Sequence, residues 1–159
     1  MATAESLRKE FMDYMDSKGV KYSVFSEDDN IVHLSFGGEK DTFVLADFDE
    51  AGNDASSVHF VSQNFAKAEK QNIPAALVRI NDINKSYRWV KFYIAEDGAI
   101  SADADADVFP GTVGEECTRA VFRMSTILEE ALDRLEGVAK VDEETMQMLR
   151  IMAVLGGLR

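Results

Sequence analysis

The sequence predicts an α+β fold, an antiparallel sheet with helices packed on it. Three observations carry this. Between Val20 and Ser62, short runs of alternating apolar and polar residues are separated by polar turns, the pattern of strands joined as hairpins. Segments centred near Phe11, Ile80 and Leu128 carry apolar residues at helical spacing on one side only, so each has one face to bury. From Ile80 to Tyr93 a helical pattern passes into a strand pattern without glycine or proline, with Asn81 and Asn84 near the junction.

In chain order, Leu7, Phe11, Tyr14 and Met15 recur at helical spacing, Thr3 is placed to cap, and Gly19 stops the helix. Strands are expected over Val20 to Phe25, Ile31 to Phe36, Thr42 to Phe48 and Ser57 to Ser62. Ser26 to Asn30 and Gly37 to Asp41 form the turns, and a polar loop runs from Asp49 to Ala55. Gln63 to Asn72 reads equally as an irregular connection or a short helix. Pro74 suits the first position of a helix to Ser86, with Ala76, Leu77, Ile80, Ile83 and Tyr87 on its buried face. Trp89 to Ala95 and Ala99 to Val108 form a hairpin around Glu96-Asp97-Gly98. In the long helix from about Glu115 to Leu135, Cys117, Val121, Met124, Leu128, Ala131 and Leu135 make an apolar stripe. Gly137 then opens a short linker. This divides the chain into an α+β domain over residues 1–137 and a C-terminal helical extension over 138–159, with Asp142 capping the last helix.

Composition narrows the function. At 159 residues, 46% hydrophobic and 29% charged, the chain has the make-up of one soluble globular domain with a real core. A net charge of -12 with no basic run repels phosphate backbones, which argues against nucleic acid and anionic membranes as partners. A single cysteine excludes an internal disulfide, and the first residues lack the basic and apolar regions of a signal peptide. The expected location is the cytoplasm.

Residues with catalytic or metal-binding chemistry are few. Asp103, Asp105 and Asp107 resemble the start of a calcium loop, but Val108 and Gly114 stand where glycine and glutamate are needed. Period 2 explains the run better: Ile100, Ala102, Ala104 and Ala106 inward, the aspartates outward. His33 and His59 are the only histidines, Cys117 belongs to an apolar stripe, and no nucleophile elbow or zinc spacing occurs. The chain reads as no enzyme, with no catalytic residue, metal site or cofactor. Asn81 and Asn84 share a helix face and could contact a ligand, yet side-chain amides at a helix end more often bond backbone. Trp89, beside Val90, Phe92 and Ile94, reads as a packing residue.

The last helix is less easily placed. Ile151-Met152-Ala153-Val154-Leu155 is apolar on all sides, after Met146, Met148 and Leu149. Such a helix needs cover on more than one face. A homodimer is therefore expected, with Met148, Ile151, Met152 and Leu155 as the candidate interface.

The order of elements, Asn81 and Asn84 followed by Tyr87-Arg88-Trp89-Val90-Lys91-Phe92-Tyr93, Glu96-Asp97-Gly98, and Val113-Gly114-Glu115-Glu116 leading to Arg123-Met124 and Ile127-Leu128 resemble the YbjN domain family. Its members are described by the words "putative bacterial sensory transduction regulator". The resemblance spans about Glu5 to Leu135. It implies a type III secretion chaperone-like fold, a bacterial cytoplasmic dimer and a surface for other polypeptides. Asn81, Asn84 and Trp89 fall on family-signature positions, with no catalytic role to carry over. The function expected is a non-enzymatic protein-binding module, a chaperone-like adaptor or regulator with an unidentified protein partner. The alternative is a small-molecule sensor with a pocket near Asn81, Asn84 and Trp89.

Overall fold

The computed structural model describes residues 2–27, 29–49 and 56–156. Helix α1 (Ala4–Lys18) opens with a reciprocal cap between Thr3 and Ser6 and ends at Gly19, whose φ of 67° is left-handed, a conformation that costs glycine little. After it come β1 (Ile31–Phe36), β2 (Thr42–Asp49), β3 (Ser56–Lys67), a 3-10 turn (Lys70–Asn72) and α2 (Ile73–Ser86). The chain continues through β4 (Lys91–Ile94), β5 (Ala99–Val108), α3 (Val113–Arg134), β6 (Lys140–Val141) and α4 (Glu143–Gly156).

All strand pairs among the described residues are antiparallel, in the order β1-β2-β3-β5-β4, with β6 pairing β3 beyond its regular ladder. The fold is therefore α+β, as the alternation of the strands predicts. One sheet face is buried through Val32, Leu34, Val44, Ala46, Phe48, Val58, Phe60, Ala102 and Ala104. Against it lie α1, through Leu7, Phe11 and Met15, and α3, through Cys117, Val121, Met124 and Leu128. The rings of Phe11 and Phe48 meet at 5.7 Å. Helix α2 packs beside β4 through Ala76, Ile80 and Ile83. The three aspartates of β5 alternate with this core and face away from it, because successive strand residues point to opposite faces.

Four expectations change. Val20 to Phe25 forms no strand: only Ser23 bridges His33, through two backbone bonds of 2.8 and 2.9 Å. Buried Tyr22 and Val24 pin that segment by side-chain packing, and Phe25 stacks on His33. The ambiguous stretch after Ser62 continues β3 through a bulge between Ser62 and Ala66. Asn64 takes a φ of 52° there and donates its N–H to the Ser101 hydroxyl at 2.9 Å; a bulge of this kind hides the strand period from sequence reading. Leu77 is exposed, since it sits one residue, about 100° of helix, beyond Ala76. The long helix begins at Val113, two residues before the expected start. Most of the polar loop after Asp49 lies outside the described residues.

Candidate functional site

At the α2–β4 junction, the Asn84 amide donates to the Phe92 carbonyl at 3.0 Å and accepts the Phe92 N–H at 2.8 Å. It takes the place of a neighbouring strand's peptide group. β4 is an edge strand, and an unpaired edge invites pairing with another chain; Asn84 closes it at Phe92. At the opposite edge the Ser23 bridge does the same for β1. Asn81 is exposed.

Trp89 is half-buried, less covered than its place among apolar neighbours suggests. Its ring packs edge-on against Phe60 at 5.8 Å, Arg123 of α3 lies over it at 5.3 Å, and its indole N–H donates to the Asp105 carbonyl at 3.2 Å. The polar atoms of Asn84 and the Trp89 indole are thus engaged inside the protein.

On the outward face of β3 and β5, His59 Nδ1 lies 2.7 Å from Asp105, and Asp103 approaches Nε2 at 3.7 Å. Among the described residues no cluster of histidine, cysteine or acidic groups is arranged to hold a metal. Cys117 is fully buried, and burial, helped by Glu116 and Glu10, pushes its thiol up to about 12. That thiol is inert at neutral pH. His33 is pushed down to about 4 by burial, against a small opposing pull from Asp29.

Helix α4 is seated by its start. Asp142 N–H donates to the Phe65 carbonyl at 3.1 Å, Met146 is buried, and Arg150 pairs with Asp41 at 2.7 Å. Leu149 and Ala153 face the uncovered sheet side near Phe25, His33 and Phe43. The outer side of α4 is open: Met148 and Ile151 are each 53% exposed, Met152 38%, Val154 75% and Leu155 81%. The structure therefore divides the helix into an inner face packed in cis and an outer apolar face, with Met148, Ile151, Met152 and Leu155 together on the outer one.

Two clefts adjoin at the β3–β6 end. One, of about 240 Å³, is lined by Lys67, Glu69, Asn72 and the 137–140 segment; the other, of about 330 Å³, shares Ala139 and Lys140 and adds Lys40. Sequence reasoning passes over these lysines, because only the pairing of β6 with β3 brings Lys140 to Lys67.

The family model described as "YbjN: Putative bacterial sensory transduction regulator" matches residues 8–137. The chain belongs to the YbjN family. The family match ends before β6 and α4, although both lie against the sheet. Among solved structures, the fold is similar to that described as "YbjN, a putative transcription regulator from E. coli", at 15% identity and a TM-score of 0.49, over 77% of this chain and 86% of that one. No curated protein matches the chain. Among the described residues, no helix is long and apolar enough to cross a membrane.

Proposed function

We propose that this YbjN-family protein is a non-enzymatic, chaperone-like adaptor or regulator in the bacterial cytoplasm that works by holding another polypeptide, and that it does so as a homodimer. The outer face of α4 carries the reading. Met148, Ile151, Met152 and Leu155 follow one another at alternating threes and ones on a helix whose inner face is already packed. An apolar stripe on one helix face is the kind of patch that two copies can share about a two-fold axis, and a second copy of this helix is the cover proposed for it. Methionine adapts its shape to the facing surface.

The sensor alternative draws no support from the geometry. Asn84 spends both amide atoms on Phe92, and the Trp89 N–H is spent on Asp105.

Light scattering on the full chain over a range of concentrations tests the dimer, with Ile151→Glu/Leu155→Glu as the comparison. The dimeric mass is expected for the parent and the monomeric mass for the variant. A monomeric parent sinks the reading. Affinity capture with both proteins then tests the adaptor role: partners that copurify with the parent should be lost with the variant, and an unchanged set places the binding surface away from α4.

A further inference from the structure

The two-residue strand β6 places Lys140 directly opposite Lys67. Like charges facing one another across an antiparallel pair destabilise it, and β6 has little else in its ladder to offset that. The chain carries 29 acidic residues against 17 basic ones, so a carboxylate facing either lysine would be the ordinary arrangement. Among the described residues, neither Lys67 nor Lys140 is held in an ion pair, whereas Lys40 nearby is bound by Asp133.

Both lysines line the same cleft of about 240 Å³. Asn72, which makes no capping bond to α2, lies on the same wall, and Val138 and Ala139 supply an apolar side. Glu69 also lines the cleft, but it accepts a hydrogen bond from the Gln71 amide. The open cleft therefore offers two exposed ammonium groups, an amide free of capping bonds, a short apolar wall and one carboxylate, which is already bonded to Gln71.

We propose that this cleft binds a small organic oxyanion, a carboxylate or a phosphate monoester, with its acidic group between Lys67 and Lys140 and its carbon skeleton against Val138 and Ala139. The bound anion neutralises the facing charges and ties β6 to β3. Because α4 begins two residues after Val141, occupancy also steadies the start of that helix. The inference does not rest on the dimer: none of the exposed α4 residues lines this cleft, and it holds for a monomer.

The test is thermal melting of the full chain in sodium phosphate and in sodium succinate, against sodium chloride at matched ionic strength. A saturable rise in Tm with either oxyanion is expected, and which one acts assigns the phosphate or the carboxylate class. In Lys67→Gln/Lys140→Gln the half-saturating concentration should rise by about tenfold or more, the effect of losing charge-assisted bonds. Lys140→Glu, which sets opposite charges across the pair, should melt above the parent in chloride and lose the oxyanion response. Amide shifts at Asn72 and Lys140 on titration report binding directly, should a variant fold poorly. An equal rise in parent and double variant, or no response and no amide shift with either anion, overturns the proposal.

Discussion

Asn84 shows how one side chain does the work of a strand. Its amide satisfies both backbone groups of Phe92, which β4, as an edge, presents to no other strand. Replacing it with alanine leaves an N–H and a carbonyl unpaired in a part-buried site, and Asn84→Ala should lose about 1–3 kcal/mol of stability in denaturant melts. Asn84→Asp, which keeps the acceptor and sets a carboxylate against the Phe92 carbonyl, should not restore it. His33 supplies a second test at this scale. Its native pKa, pushed down to about 4, lies below the ordinary 6.5. The unfolded chain therefore binds the proton first. The stability that neutral His33 contributes is complete above pH 6.5, declines as the pH falls below that, and is gone once the pH passes below 4. Between those limits the parent's melting temperature should fall more steeply than that of His33→Asn; parallel curves would refute the assignment.

At the scale of elements, α1 and α3 approach each other tightly at Gly114. A Cβ built on Gly114 would stand 2.4 Å from the Cβ of Tyr14, an atom that no rotamer change can move away. Alanine gains about 1 kcal/mol over glycine in a helix, while overpacking of a tight contact costs about 1–3 kcal/mol. The clash wins because neither helix can shift without leaving the sheet. Gly114→Ala should therefore destabilise, by up to about 2 kcal/mol net, and a variant as stable as the parent would show that the two helices have room to slide. Gly98 makes the same point in the β4–β5 turn: its φ of 88° and the nearby Ala68 carbonyl leave no space for a side chain, so a tight turn there holds the end of β3 as well.

Across the whole molecule, the two sheet faces are treated differently. One is covered by α1 and α3, and on the other Leu149 and Ala153 of α4 come near Phe43 while Phe25 stacks on His33. Cys117 reports on the covered side. It is fully buried with a thiol pushed up to about 12, so in native buffer it should not react with a disulfide reagent, and its labelling rate should rise only across the global unfolding transition. Fast labelling of the native protein would mean that α3 opens locally. The outer face of α4 reports on assembly. If it is the dimer seam, dilution to the monomer should lower the melting temperature, because association stabilises by mass action; a melting point independent of concentration would place the stability of the fold within one chain.

Much of the architecture was legible because it follows from local periodicity. The stripe from Cys117 to Leu135, the alternation of Ala102 and Ala104 with the aspartates of β5, and the helix-to-strand junction at Asn84 are each written within a few turns or residues, and the family resemblance rests on the same segments. The sequence by itself thus determined an antiparallel α+β chain of the YbjN family, and it picked out Met148, Ile151, Met152 and Leu155 as residues needing cover. Tertiary structure alone decided the rest. It held Val20 to Phe25 outside the ladder, carried β3 through a bulge to Lys67, split α4 into a packed and an open face, and set Lys140 against Lys67. The physical reason is range: side-chain period is a property of neighbours in the chain, whereas a bulge, an edge bridge or a pair of opposed lysines depends on which distant segment arrives alongside.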